Sequence, residues 1–181
     1  MLKALVQYIT FMRNPLFGWK RLQAEPTSNK TVIVYWTIVC ASICSVIGTT
    51  IERVEWMWDV AIIDLLSTFI SLLAGFYIAC FLIRWYYEQT EKKPLPNARC
   101  IHFVALSSSC LYLVAALVKL THMNLFWALG IYLLKIVLEA VESQYVEVYE
   151  KRKYTFVWLA SLIMVASVWL ANMLIGLILT N

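Results

Sequence analysis

The stretch AIIDLLSTFISLLAGFYIACFLI, residues 61–83, decides the fold class of this chain. It is 23 residues long, and Asp64 is its single acidic or basic residue. A helix of about 20 residues rises about 30 Å, which is the thickness of the hydrocarbon core of a lipid bilayer. The stretch therefore predicts a helix that crosses a membrane.

Four further apolar runs meet the same length criterion. They are residues 32–51, 101–121, 125–141 and 156–179. The run 125–141 is interrupted by Lys135 and Glu139, so it could instead form a re-entrant hairpin with the run before it. We expect five crossings, because its 17 residues can still span the hydrocarbon core. The predicted fold is all-α: a polytopic membrane protein with five transmembrane helices in residues 32–181, preceded by amphipathic interfacial helices in a cytoplasmic leader of residues 1–31.

The composition is typical of a membrane protein rather than a soluble one. Of the 181 residues, 62% are apolar and 14% are charged, whereas in a soluble domain about half are apolar and about a quarter are charged. So few charges cannot cover a water-exposed surface. The sequence also contains no phosphate-binding glycine loop, no Gly-x-Ser-x-Gly and no His-Glu-x-x-His motif. We therefore expect no enzyme activity.

No cofactor or metal site is expected either. The two histidines, His102 and His122, are predicted to lie at opposite membrane faces. Structural zinc needs four ligands, and no spacing in this chain supplies them. The five cysteines lie in or beside apolar runs, so we interpret them as small packing residues without a disulfide framework. They are Cys40, Cys44, Cys80, Cys100 and Cys110.

The basic residues predict how the chain is oriented. Twelve of them fall on one side of the predicted spans: five in the leader, four in the loop before residue 101 and three in the loop before residue 156. The opposite side holds Arg53 and Lys119. Because basic loops stay in the cytoplasm, the N-terminus is predicted to be cytoplasmic and Asn181 to lie on the far side. The net charge of +4 is thus interpreted as an orientation signal, and nucleic acid is not expected as a partner.

The leader is predicted to form two short helices at the cytoplasmic membrane surface. The first has one apolar face, which suits a helix lying in the headgroup layer; this face comprises Leu2, Leu5, Val6, Ile9 and Met12. Asn14 can cap the second helix, with Pro15 in its first turn. Pro15, Trp19, Lys20 and Arg21 would anchor that helix in the lipid bilayer surface. The alternative is a tail that merely precedes the first span.

Small residues recur at four-residue spacing within the run 61–83. When stacked on one helix face, such residues let a neighbouring helix approach closely, which favours association in lipid. We expect this face to pack against the first apolar run, residues 32–51, as a tight hairpin. The alternative is a chance pattern in a Ser- and Ala-rich chain. The face comprises Ser67, Ser71, Gly75 and Ala79.

Ionisable side chains inside spans are costly and mark functional candidates. Lys135 and Glu139 lie four residues apart on one helix face, which Glu142 continues toward the cytoplasm. Asp64 and Lys119 are predicted at similar depth near the non-cytoplasmic surface, where they could make contact. One interpretation is a polar cavity or ion path through Lys135, Glu139 and Asp64. The other is that the charges pair locally or extend to the headgroups.

Two short motifs resemble those of a known family. The leader contains Asn14-Pro15, Trp19, Leu22 and Glu25, in which a proline is followed by an apolar turn and an acidic residue. The later motif is Ser107-Ser108-Ser109-Cys110-Leu111-Tyr112. Both are similar to the Yip family of small five-span membrane proteins, the Ypt/Rab-interacting proteins and their bacterial relatives, although that family more often has proline in place of Cys110. The resemblance implies five spans and a cytoplasmic N-terminus.

The bacterial branch of this family is the closer match. Eukaryotic members are tied to Rab GTPases and vesicle traffic, and they have a longer N-terminal region with an Asp-Leu-Tyr-Gly-Pro-like motif. This chain has 31 residues before its first predicted span and lacks that motif, so Rab GTPase binding is not expected. The bacterial branch implies an inner-membrane location with a periplasmic C-terminus, and it assigns no catalytic or ligand-binding residue.

Three functions remain open from the sequence. The first is a non-enzymatic scaffold or accessory subunit that binds another membrane protein or a second copy of itself. The second is a small transporter or channel that uses Lys135, Glu139 and Asp64. The third is a membrane-shaping or lipid-sensing protein that acts through its leader.

Overall fold

The computed structural model describes residues 9–24, 37–51, 58–123 and 128–179, and all regular structure in these ranges is helical. A short helical stretch, residues 9–13, precedes the first named helix. The helices are α1 (Pro15–Ala24), α2 (Val39–Ile51), α3 (Trp58–Glu91), α4 (Asn97–Thr121), α5 (Ile131–Glu142) and α6 (Lys153–Leu179), the last preceded by a 3₁₀ turn, Glu150–Arg152.

Within the described ranges, three helices are long and apolar enough to cross a membrane. The spanning segments are Ala61–Glu91, Asn97–Thr121 and Glu150–Ile178. They contain the predicted spans 61–83 and 101–121 and all but the last residue of the predicted span 156–179. The predicted all-α fold is therefore confirmed for the described residues, and three of their helices have the length and apolarity that a membrane span requires.

The structure describes only part of each of the other two predicted spans. α2 has 13 residues and α5 has 12, so they rise about 20 Å and about 18 Å, less than the roughly 30 Å hydrocarbon core. The predicted spans 32–51 and 125–141 both begin with residues that lie outside the described ranges. Five crossings therefore remain a prediction.

α4 is the central helix of the bundle. It packs against α2, α3 and α5 and touches α6, and nearly all its side chains from Cys100 to Tyr112 are buried. Ser108 and Ser109 are compatible with this burial because each hydroxyl donates to a carbonyl of its own helix, Ser108 to Val104 at 2.6 Å and Ser109 to Leu106 at 2.8 Å.

The most extensive helix pair is α3 with α6. A Cβ on Gly75 would lie 2.8 Å from the Val168 Cα, so the two backbones approach as closely as a glycine allows. Ser71, one turn earlier, donates a hydrogen bond to the Asn172 side chain at 3.3 Å. The predicted small-residue face therefore meets α6 at these two positions, and the expectation that it packs on the first apolar run is wrong there.

For the two remaining members of that face, the structure gives a hydrogen bond within α3 and burial. Ser67 donates to the Asp64 carbonyl within α3 at 3.0 Å, and Ala79 is buried. α2 does touch α3, through a hydrogen bond from Ser45 to the Leu65 carbonyl at 2.9 Å. α2 packs more extensively on α4 than on α3, and the most extensive contact of α3 is with α6.

Three helix ends and two loops form what we call the basic end of the bundle. It consists of the C-terminus of α3, the N-termini of α4 and α6, and the loops 92–96 and 143–152. Tyr87 and Arg152 tie these parts together, because the Tyr87 hydroxyl donates to the Glu147 carbonyl and the Arg152 guanidinium to the Thr90 carbonyl. Across this end, Arg99 of α4 lies 3.6 Å from the Glu147 carboxylate.

Candidate functional site

The leader helix α1 starts where the sequence predicts. The Asn14 side-chain oxygen accepts a hydrogen bond from the Phe17 main-chain N–H at 3.2 Å, and Pro15 is the first helical residue. This cap gives a hydrogen-bond acceptor to a main-chain N–H of the first helical turn, which has no acceptor within the helix. The predicted capping by Asn14-Pro15 is confirmed, and it fixes where α1 begins.

Trp19 points into the bundle rather than into the headgroup layer. Its side chain is fully buried, and its indole Nε1 donates to the main-chain carbonyl of Ile136 in α5 at 3.1 Å. Pro15 is buried as well, whereas Lys20 and Arg21 are exposed. The prediction that Trp19 and Pro15 are interfacial anchors is therefore wrong. An indole can bury its large apolar area wherever its N–H finds an acceptor, and α5 provides one.

Aromatic rings from three parts of the chain surround Trp19. The Phe11 ring meets it edge-on at a centroid distance of 4.9 Å, the Tyr145 ring lies at 4.8 Å and the Phe103 ring at 6.1 Å. We call these four side chains the Trp19 cluster. Because Gly18 has no Cβ, the Phe11 ring can lie directly over the α1 backbone there.

The residues before α1 are held by the same neighbours. Phe11 is 3% exposed, whereas Ile9 is 59% exposed, so the buried side of this short helix differs from the predicted apolar face. The Tyr132 hydroxyl of α5 donates to the Met12 carbonyl. The other members of the predicted face, Leu2, Leu5 and Val6, lie outside the described residues.

His102 and Tyr145 form a buried polar pair beside the Trp19 cluster. The His102 Nδ1 and the Tyr145 hydroxyl are 3.1 Å apart, and the Tyr145 main-chain N–H donates to the Ala140 carbonyl at 3.0 Å. Burial raises the pKa of Tyr145 to about 12, so its phenol is protonated at neutral pH. Nε2 of His102 is buried and has no hydrogen-bond partner among the described residues.

The roles of four buried side chains could not be predicted from the sequence: Phe11, Phe103, His102 and Tyr145. His102 and Tyr145 are 43 residues apart, and Trp19 and Ile136 are 117 apart. No spacing rule links positions so distant, and the aromatic character of these residues is equally typical of a membrane interface.

The charged residues of α5 pair with near neighbours. Lys135 Nζ lies 3.9 Å from the Glu139 carboxylate, one turn along the same helix, and Lys135 is largely exposed. The Glu142 carboxylate lies 2.9 Å from Lys153 at the start of α6. The second Glu139 oxygen is buried without a hydrogen-bond partner in the described ranges. Glu142 thus links two helices instead of extending the Lys135–Glu139 pair.

Asp64 forms no ion pair with Lys119 in the described ranges, and its helix does not contact the helix of Lys135 and Glu139 there. The ion pairs formed by the described residues do not include Asp64 with Lys119. α2 packs against both α3 and α4, and it contacts α3 at Leu65, next to Asp64. In the part of the chain that the structure describes, α3 does not contact α5. Asp64 therefore lies on a different surface from the Lys135–Glu139 pair.

Neither a metal-binding group nor a disulfide is present in the described ranges. No three His, Cys, Asp or Glu side chains in these ranges converge as a metal site, and none of the five cysteines forms a disulfide. Between α3 and α4, the Cys100 thiol donates a hydrogen bond to the Cys80 carbonyl at 3.4 Å.

In the described residues, Trp19 therefore holds the leader helix α1 against the bundle, and the charged side chains of α5 pair with nearby residues. Comparison with protein-family models, curated proteins and solved structures gives no match for this chain. The resemblance to the Yip family accordingly remains a prediction, which rests on the two motifs quoted for it.

Proposed function

We propose that this protein is a non-enzymatic, multi-pass membrane protein that serves as a scaffold or accessory subunit of a membrane assembly. The observation that carries the proposal is the outward face of α6. Trp158, Leu162 and Trp169 lie four and seven residues apart, which places them on one helix face. Trp158 is 65% exposed and Trp169 is 64% exposed.

The position of these two tryptophans favours a protein partner over lipid. They are 11 residues apart, so about 16 Å separates them along the helix axis. The hydrocarbon core is about 30 Å thick, so the two headgroup layers are further apart than the two rings are. If one ring lies in one headgroup layer, the other ring cannot lie in the opposite one. At least one indole N–H then lies where lipid chains offer no acceptor. A neighbouring helix can supply that acceptor and cover the ring.

The inner face of α6 is already occupied. Ala160, Met164 and Ala171 are buried, and Val168 packs on Gly75 of α3. A partner, either another membrane protein or a second copy of the chain, would therefore bind α6 from the outside. It would not have to displace any contact within the bundle.

The transporter alternative is less well supported. It requires Lys135, Glu139 and Asp64 to line one path, but α3 and α5 make no contact within the described ranges and Lys135 pairs with Glu139 on its own helix. A scaffold needs its ionisable groups inside the membrane only to be neutralised, and it does not need them to line a path. Charges that pair locally are therefore compatible with a scaffold.

We also propose five crossings, with the N-terminus in the cytoplasm and Asn181 in the periplasm of a bacterium. The connectivity of the described helices supports this topology. α4 and α6 both start at the basic end, where Phe103 and Phe156 lie 6.2 Å apart, so residues 122–152 must return across the bundle. The leader also lies at this end, whereas α3 begins at the opposite one. The twelve basic residues on the leader side support a cytoplasmic basic end.

A site-specific photocrosslink tests the scaffold proposal. A photoreactive amino acid is placed at Trp158 on α6 or, as a matched control, at Phe81 on α3, which is 69% exposed. We expect a protein adduct from position 158, either a partner or a second copy, and lipid adducts alone from position 81. Lipid adducts alone from both positions would contradict a partner on α6.

A further inference from the structure

We propose that the outward side of α1 binds an anionic phospholipid of the leaflet at the basic end. Phe17, Lys20 and Arg21 form this surface, which we call the leader outer face. The proposal goes beyond the scaffold function and does not depend on any protein partner, because the surface belongs to the leader and not to α6.

α1 presents two distinct sides. Pro15, Gly18 and Trp19 are buried, and Leu22 packs against the core; their spacing of three and four residues marks one helix face. Phe17, Lys20 and Arg21 repeat the same spacing on the other face, and all three are exposed. Because Trp19 faces inward, Phe17, which is 56% exposed, is the aromatic side chain on the outward side of α1.

The depth of α1 places the leader outer face at a headgroup layer. Trp19 contacts Phe103, the seventh residue of α4, and Tyr145 in the loop after α5. Phe103 lies about 9 Å along α4 from its first residue. In a helix that enters a bilayer at its N-terminus, this is the level at which headgroups meet the upper part of the acyl chains.

The chemistry of the face matches one phospholipid molecule. An exposed phenyl ring favours the upper acyl region, and lysine and arginine beside it bind phosphate oxygens. The attraction of an anionic leaflet strengthens binding about fivefold for each basic residue near the surface.

The leader is also held in place before any lipid binds. The Asn14 cap fixes the start of α1, the Trp19 hydrogen bond joins it to α5, and Tyr132 holds the Met12 carbonyl. A rigid surface loses little conformational freedom on binding, so more of the contact energy appears as affinity.

Native mass spectrometry of retained lipid tests the proposal. The full chain is incorporated into nanodiscs of equal phosphatidylglycerol and phosphatidylcholine, extracted gently, and the ratio of the two bound lipids is measured. We expect the double variant Lys20→Gln, Arg21→Gln to lower the preference for phosphatidylglycerol about tenfold or more, given the loss of two cations. Phe17→Ser should lower the amount of both lipids retained.

Lys92→Gln with Lys93→Gln is the matched control, since both lysines are exposed and lie in a loop at the same end. This variant should retain the wild-type lipid ratio, and the charge-conserving pair Lys20→Arg, Arg21→Lys should retain it as well. Equal losses in both glutamine variants would show a diffuse charge effect and overturn the proposal. No loss in either variant, or a full loss in the charge-conserving pair, would overturn it too.

Discussion

The indole Nε1 of Trp19 donates a hydrogen bond to the main-chain carbonyl of Ile136, 117 residues further along the chain, at 3.1 Å. This bond joins the leader to α5, and the Trp19 cluster extends the junction to α4 and to the loop 143–149 through Phe103 and Tyr145. The leader is therefore a structural part of the bundle. Removing its anchor should affect the stability of the whole bundle.

The first prediction concerns Trp19 itself. Trp19→Ala should destabilise the protein by about 3–5 kcal/mol, as expected for truncating a fully buried aromatic side chain. Trp19→Phe should have a smaller effect of about 1–2 kcal/mol, since it loses the hydrogen bond but keeps much of the ring contact. In thermal unfolding experiments in detergent, the melting temperature should be highest for wild type, lower for Trp19→Phe and lowest for Trp19→Ala. Phe17→Ala, an exposed position on the same helix, is the control and should unfold like wild type. Wild-type unfolding of Trp19→Ala would contradict the junction.

The second prediction concerns the contact between α3 and α6. Gly75→Ala places a Cβ 2.8 Å from the Val168 Cα, so the two helices must move apart. Overpacking of this kind should destabilise by about 1–3 kcal/mol. Gly176→Ala is the matched control, because the added Cβ meets no atom within 4 Å apart from those of its own stretch of helix, and alanine favours a helix over glycine. We expect Gly75→Ala to melt at a lower temperature than wild type and Gly176→Ala to melt at an equal or higher temperature. The reverse order would exclude the close approach of α3 and α6.

The third prediction is a pH dependence. Burial raises the pKa of Tyr145 to about 12, above the value of about 10 for a tyrosine in an unfolded chain. A group whose pKa is raised in the folded state stabilises the protein fully below the unfolded value. We therefore expect this contribution to be intact below about pH 10 and to be lost between about pH 10 and 12.

Tyrosinate absorbance measures this titration directly. The difference between the wild-type and Tyr145→Phe spectra should show one phenol ionising near pH 12, and the same difference taken in denaturant should show it near pH 10. A native difference spectrum that rises near pH 10 would mean that Tyr145 is not buried.

The sequence predicted features that depend on neighbouring residues, and it missed those that depend on distant ones. The helix in 61–83 follows from local apolarity, and the start of α1 follows from Asn14-Pro15, because a cap is made within one helical turn. The direction of Trp19 could not be predicted, since an amphipathic ring is equally suited to a headgroup layer and to a buried site with an acceptor. Which site it occupies depends on Ile136.

The small-residue face shows the same limit within a membrane domain. Four-residue spacing predicts that some helix approaches closely, and Gly75 does allow such an approach. The spacing carries no information about which helix approaches, so α6 could not be distinguished from the first apolar run. Similarly, the i,i+4 pair Lys135–Glu139 was foreseeable from the sequence, whereas the Glu142–Lys153 contact between helices was not.

The last prediction separates a scaffold from an ion pathway. Lys135 and Glu139 neutralise each other on one helix, and Asp64 lies on a helix that does not touch α5 within the described ranges. We therefore expect purified protein in liposomes to give proton and potassium fluxes equal to those of protein-free vesicles. Glu139→Gln should leave these fluxes and the photocrosslink from position 158 unchanged. A flux above background in wild type that Glu139→Gln abolishes would establish a path through α5 and refute local pairing as the role of this carboxylate. Glu142→Gln, which removes the surface ion pair to Lys153, is the control for charge loss and should leave the melting temperature close to that of wild type.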